Sequence, residues 1–211
     1  MSILQNLKNI QEELKINKVN PKIIAVSKTF PIEHISPLVD HGHLIFGENR
    51  VQEAKEKWVE IANKKAELEL HLIGGLQTNK AKDAIKIFKF IHAVDRKSLV
   101  DELTKSEEKL NLKRKYFLQV NTGDEIQKFG VSINDLKDLF QYSKDKLNIV
   151  GLMCIPPVNE EPTKHFKILK DLSIQLNLNE LSMGMSNDYV EASKNGSSYI
   201  RVGSKIFGSR G

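Results

Sequence analysis

Lys22-Ile23-Ile24-Ala25-Val26-Ser27-Lys28-Thr29 is an apolar, β-rich run that ends on a lysine rather than on a turn residue. A short unbroken apolar run of this kind reads as a buried strand over residues 23–26. Lys28 then stands at the C-terminal rim of that strand. A charged residue in the loop after a strand is commonplace, so the segment by itself specifies a buried strand and no chemistry. Its neighbours along the chain decide the rest.

Working outward, similar short apolar runs recur at residues 44–46, 70–73, 90–94, 116–120, 149–153, 181–183 and 199–202, which with 23–26 makes eight candidate strands. Between them the apolar spacing switches to three and four residues: Val51, Ala54, Trp58 and Ile61; Leu99, Leu103 and Leu110; Leu136, Leu139 and Phe140; Phe166, Leu169, Leu172 and Leu176. Ser132 three residues before Asp135 is a helix-start signal, and Thr163 opens a helix straight after Pro162. Strands that alternate with helices must pair in parallel through crossover connections. Eight such units with nearly continuous apolar strands predict a closed (β/α)8 TIM barrel, with a doubly wound open sheet as the alternative. Ile3, Leu4, Leu7, Ile10 and Leu14 add an amphipathic N-terminal helix within residues 1–17, packed on the barrel. No linker or repeat divides residues 1–211, so a single domain is expected.

Composition excludes several classes. Hydrophobic content of 40% and charged content of 28% are those of a globular protein rather than a disordered or membrane-spanning one. The apolar runs fall far short of the roughly 18 residues of a membrane helix, and residues 1–6 lack the regions of a signal peptide, so a cytoplasmic location is expected. The lone Cys154 fits a reducing compartment and a small buried packing role. The net charge of +5, from 32 basic against 27 acidic side chains, admits an anionic partner. Basic residues alternate with acidic ones, as in Gln52-Glu53-Ala54-Lys55-Glu56-Lys57, which reads as a solvated helix face, and a nucleic-acid partner is not expected.

A barrel of this kind builds its site where strands end and helices begin. Lys28 follows strand one, Gly47-Glu48-Asn49-Arg50 strand two, Gly74-Gly75-Leu76-Gln77-Thr78-Asn79 strand three, Gly184-Met185-Ser186-Asn187-Asp188 strand seven and Arg201-Val202-Gly203-Ser204 strand eight. Small and hydroxyl residues after strands seven and eight suit a phosphate dianion, although each loop alone also reads as an ordinary helix cap. In a closed barrel, strand eight lies beside strand one. Lys28 would therefore face whatever carries the phosphate, and a lysine amine beside a phosphorylated carbonyl compound forms a Schiff base when its pKa is lowered. His41-Gly42-His43 precedes strand two and falls on the opposite face, so no metal site is expected there. His71 and His92 read as hydrogen-bonded core or rim histidines. Lys80 and Lys82 could draw in an anion or simply face solvent.

Five blocks in order then carry a resemblance: Ala25-Val26-Ser27-Lys28-Thr29, Phe46-Gly47-Glu48-Asn49-Arg50-Val51-Gln52-Glu53, His71-Leu72-Ile73-Gly74-Gly75-Leu76-Gln77-Thr78-Asn79-Lys80, Leu181-Ser182-Met183-Gly184-Met185-Ser186-Asn187-Asp188 and Arg201-Val202-Gly203-Ser204-Lys205-Ile206-Phe207-Gly208-Ser209-Arg210. Together they closely resemble the YggS/PROSC family of pyridoxal phosphate homeostasis proteins. The resemblance implies a barrel like the N-terminal domain of alanine racemase, the fold type III arrangement of pyridoxal 5'-phosphate (PLP) proteins. It implies that Lys28 is the Schiff-base lysine, that Ser186, Gly203 and Ser204 hold the phosphate, that Asn49 lies by the ring and that Arg201 faces the pyridine nitrogen. The family often has Thr at the position of Ser204 and Phe at that of Leu72. Without the resemblance, Arg201 reads equally as a rim cation paired with Glu48 or Asp188.

A permanent cation at the pyridine nitrogen disfavours its protonation and weakens the ring as an electron sink. Racemases and decarboxylases that resemble this barrel draw a second acid–base residue from an additional β domain, and this sequence ends at Gly211. The expectation is therefore a monomeric, non-catalytic PLP carrier in cofactor supply and buffering, with PLP-dependent apo-enzymes as recipients. A PLP-dependent amino-acid racemase is the alternative.

Overall fold

The computed structural model describes residues 2–123 and 129–208. Ser2 caps the first helix, α1 (Ile3–Ile16), its hydroxyl accepting from the Gln5 N–H, and Leu7, Ile10 and Leu14 bury the inward stripe. The eight strands are β1 (Lys22–Val26), β2 (Ile45–Glu48), β3 (Glu69–Leu72), β4 (Phe90–Val94), β5 (Lys115–Asn121), β6 (Ile149–Met153), β7 (Glu180–Ser182) and β8 (Tyr199–Val202). Each pairs in parallel with the next, and β8 returns to β1 in the register Lys22↔Tyr199 and Ile24↔Arg201, closing the barrel. A two-residue bridge, Val131–Ser132, extends the rim beside Val120 and Asn121. The closed barrel, not the open sheet, is the architecture.

The connecting helices are α2 (Ile32–Asp40), α3 (Val51–Lys64), α4 (Ala81–Ile87), α5 (Lys97–Leu110), α6 (Ile133–Ser143), α7 (Pro162–Gln175), α8 (Tyr189–Lys194) and α9 (Ser204–Phe207). Apolar spacing singled out α3, α5, α6 and α7 but not α2 or α4. α2 carries Pro37 in its interior, and α4 is only seven residues long, so neither shows a clean periodic stripe. Ser132 caps α6 as its position foretells, its hydroxyl accepting from the Asp135 N–H. At α7 the start lies one residue earlier than Thr163. Pro162 is the first helical residue, where its missing N–H costs nothing, and Glu161 is the cap.

Strand alternation sorts the apolar residues into two cores. Ile24, Phe90, Phe117, Met153 and Tyr199 fill the barrel, whereas residues such as Ala25, Phe46, Trp58, Ile91 and Leu118 fill the layer between barrel and helices. Burying each large apolar side chain contributes about 1.5–3 kcal/mol. α1 is more than a lid on this layer: Asn6 Nδ2 donates to Ile206 O at 2.9 Å, and Lys205 Nζ reaches Glu13 at 3.1 Å and Tyr189 Oη at 2.9 Å. The Tyr189 hydroxyl also donates to Glu13. The helix that follows β8 is thus braced from below by α1 and α8.

Candidate functional site

At the C-terminal ends of the strands lies a cavity of about 700 Å³. That size is typical of small-molecule and cofactor sites. Lys28 from the turn after β1, Asn49 from the loop after β2, Arg201 from β8, Gly203 and Ser204 just after it, and Ser186 from the loop after β7 all line it. The six residues singled out in the sequence therefore meet in one place. Lys80 and Lys82 are exposed on the α4 side and do not line the cavity.

The Lys28 turn is pinned on both sides. Ser27 Oγ donates to Glu48 Oε1 at 2.7 Å, Lys57 Nζ donates to Ser27 O at 2.9 Å, and the Thr29 N–H donates to Glu53 Oε1 at 2.5 Å. Thr29 adopts φ +70, a conformation that a β-branched residue takes only when its surroundings impose it. Lys57 closes the cluster by donating to Glu48 Oε1 at 3.0 Å and Glu53 Oε1 at 2.9 Å, and Trp58 Nε1 adds a third donor to Glu48 at 2.9 Å. Burial alone would raise the Glu53 carboxyl, but the bonds from Lys57 and the Thr29 N–H hold it below the usual range. This corrects the reading of the Gln52–Lys57 run as a solvated face at Glu53 and Lys57, whereas Gln52, Lys55 and Glu56 are exposed as expected. Lys57 is a turn in from the solvent side and its side chain is only 8% exposed, because Glu48 points out of the barrel toward α3.

Beside the Lys28 rim, the loops after β7 and β8 converge. Gly203 N–H and Lys205 N–H both donate to Ser186 Oγ, at 3.3 and 3.4 Å, so two backbone donors already point at an oxygen on the cavity wall. That donor set fits the phosphate of a small ligand. Gly184 makes the approach possible. It has φ +91, and a Cβ there would lie 2.5 Å from Ala192 Cβ. Gly74 does the same beside β2, where a Cβ would come within 2.5 Å of Asn49 O.

Arg201 is buried yet faces the cavity. Its guanidinium donates to Ser182 Oγ at 2.7 Å and to Cys154 O at 2.8 Å. Burial lowers its pKa, with Cys154 and Asp188 acting in the other direction. The rim pairing with Glu48 is not made: Glu48 is bound to Lys57 on the far side of the strand. Cys154 is buried, and burial pushes its thiol up to about 12, in keeping with a packing role. His43 hydrogen-bonds the Ile45 carbonyl at the other end of the barrel, and among the described residues no cluster of His, Cys, Asp and Glu could hold a metal.

Of the cavity's apolar wall, Ile155 and Met185 stand at strand ends as the sequence placed them, but the sequence did not single out Phe30, or Gln119 on β5. Alternation along β5 would have turned Gln119 inward, but the loop residues belong to no periodic pattern.

An amine, a convergent pair of N–H donors and a buried guanidinium around the mouth of a parallel barrel place this chain in the class of alanine racemase-like barrels. The sequence profile described as the alanine racemase N-terminal domain matches residues 1–211. The chain belongs to the pyridoxal phosphate homeostasis protein family within that class. It is 40% identical over 200 residues to the protein of that name from Aquifex aeolicus, covering 90% of this chain and 87% of that one. The Schizosaccharomyces pombe protein of the same name is 36% identical over 213 residues, covering 95% and 89%. The structure of PipY from Synechococcus elongatus with PLP bound superposes with a TM-score of 0.86 at 33% identity, covering 98% of this chain and all of that one. Alanine racemase of Clostridium difficile, 15% identical with a TM-score of 0.78, shares the fold over 99% of this chain and 57% of its own.

Proposed function

We propose that this chain binds pyridoxal 5'-phosphate covalently at Lys28 and takes part in PLP homeostasis by supplying and buffering the cofactor. The observation that carries this reading is the meeting of Lys28, Asn49, Ser186, Arg201, Gly203 and Ser204 around one cavity of ligand size. In this reading Lys28 supplies the attaching amine, and its pinned neighbours Ser27 and Thr29 fix where that amine stands. Ser186, Gly203 and Ser204 hold the phosphate, Asn49 lies at the ring, and Arg201 faces the pyridine nitrogen. When bound, PLP would offer an aldehyde for capture and, on other proteins, an electron sink. Here Arg201 keeps the ring nitrogen unprotonated, so the sink is weak.

The role proposed is that of a non-catalytic, monomeric carrier in the cytoplasm, with apo-enzymes as recipients and no nucleic-acid partner. The titratable side chains lining the cavity, among the described residues, are Lys28, Glu160, Asp188 and Arg201. Asp188 accepts from the Met185 N–H and Glu160 from Lys164, which supports a holding role over two-base chemistry on opposite faces of a substrate. The shared fold with alanine racemase makes racemisation the second reading, and conversion of an L-amino acid to its D form well above the rate with PLP alone would establish it.

The test is direct. Wild-type protein mixed with PLP should show the visible band of a lysine-bound cofactor, and Lys28→Ala should lose it. Borohydride reduction followed by peptide mass spectrometry should place the phosphopyridoxyl group on the peptide containing Lys28. A band that survives in Lys28→Ala refutes the assignment.

A further inference from the structure

Among the described residues, one file of hydrogen-bonded side chains crosses the barrel's interior from end to end. Arg201 donates to Ser182 Oγ at 2.7 Å, and Ser182 Oγ lies 2.9 Å from His92 Nδ1. His92 Nε2 lies 2.8 Å from His71 Nδ1, and His71 Nε2 lies 3.0 Å from Glu69 Oε1. His71, His92 and Ser182 are completely buried, and the two imidazoles stack on Phe90 and Phe117 with ring centroids 4.3 Å apart in each pair. Glu69 opens β3 at the opposite mouth of the barrel from the cavity.

While both imidazoles are neutral, the two ends of the file fix the direction of every proton in it. A guanidinium only donates and a carboxylate only accepts. Ser182 must therefore accept from Arg201 and donate its own proton to His92 Nδ1. His92 then donates from Nε2 to His71 Nδ1, and His71 donates from Nε2 to Glu69. Reversing the histidine links would need a second proton on His71, with Ser182 accepting from both Arg201 and His92. Burial lowers the pKa of each ring and so favours the neutral Nε2–H form of both.

Stability does not explain such a file. Apolar residues of similar volume in its place would avoid the desolvation of five polar groups, and such replacements are often neutral or stabilising. What the file does achieve is a fixed orientation for a buried cation that hydrogen-bonds a hydroxyl and a carbonyl, and an anion connected to that cation across the barrel.

We propose that Ser182, His92, His71 and Glu69 are positioning residues for Arg201: a proton-ordered chain that holds the guanidinium at the cavity floor and couples the charge of Glu69 to the ligand above it. This rests on the proposed binding of PLP over Arg201. Among the described residues, the charged and titratable groups facing the chain are Lys22 from β1, Lys89 before β4, Lys115 from β5 over the Phe90 ring, Glu180 from β7 and Tyr199 from β8 at the lower mouth, with Cys154 and Asp188 near Arg201 and Lys28 and Glu160 on the cavity wall.

Two measurements test it. Nitrogen-15 NMR of the imidazoles in cofactor-free protein should report His71 and His92 as neutral Nε2–H tautomers throughout pH 6.5 to 8. An Nδ1–H tautomer or a protonated ring at either position overturns the proposal. The second compares Glu69→Gln, which keeps an acceptor for His71 but loses the charge, with Glu180→Gln, which removes a carboxylate from the same mouth but not from the chain. With PLP bound, Glu69→Gln makes the cavity floor more positive and should lower the pH midpoint of the visible band by about half a unit or more, a threefold change in proton affinity. Glu180→Gln should move it by less than half as much. Equal shifts, or none in Glu69→Gln, overturn the coupling. A wild-type protein that shows no visible band with PLP faults the cofactor reading instead, and the NMR result then decides the chain on its own.

Discussion

Lys57→Met probes the cluster that holds the Lys28 turn. Methionine keeps the length and apolar stem of the side chain but removes the cation from three acceptors, Ser27 O, Glu48 and Glu53. Glu48 is fully buried, and among the described residues its Oε2 has no hydrogen-bond partner. Without Lys57 its charge is held only by the Ser27 hydroxyl and the Trp58 N–H. Breaking a buried pair from one side costs about 3–5 kcal/mol, because the remaining charge is left uncompensated. For a chain of this size that corresponds to a fall in melting temperature of about 6–20 °C. Urea unfolding at pH 7.5 measures it directly. Glu48→Gln should cost only about 1–2 kcal/mol, since Lys57 keeps Glu53 and Ser27 O, and the double variant should be more stable than Lys57→Met alone. A Lys57→Met protein within about 1 kcal/mol of wild type, or a double variant no better than the single one, would refute the claim that a buried ion pair anchors the Lys28 turn.

Gly184→Ala should destabilise by about 2–4 kcal/mol in the same assay, because positive-φ strain adds to a steric clash, whereas Gly42→Ala, at φ +89 with open space around it, should cost only about 1 kcal/mol. Similar losses at the two sites would remove the close approach at Gly184 as an explanation. Global stability should fall as pH drops below about 6.5. Burial holds His43, His71 and His92 below their ordinary pKa, so the unfolded chain takes up protons that the folded chain refuses. Each imidazole that stays neutral removes up to about 1.4 kcal/mol per pH unit over this window. A flat stability profile from pH 7.5 to 5.5 would contradict it.

The sequence by itself determined the alternation of strands and helices, and with it the parallel barrel, because each buried strand must be apolar throughout and each crossover helix must show its 3.6-residue stripe. It also marked Lys28, Asn49, Ser186, Arg201, Gly203 and Ser204, since in a closed barrel the residues at strand ends are obliged to share one rim. Boundaries slipped by a residue or two, as at Ile45–Glu48, and α2 and α4 escaped because a proline or a short length hid their periodicity. Only the tertiary structure decided which charged residues turn inward. Lys57 looks like any lysine of a solvated helix until Glu48 is seen to point at it, and Glu69, His71, His92 and Ser182 lie on three different strands. A hydrogen bond between side chains distant in sequence depends on shear, register and rotamer together. Those quantities come into being only when the barrel closes.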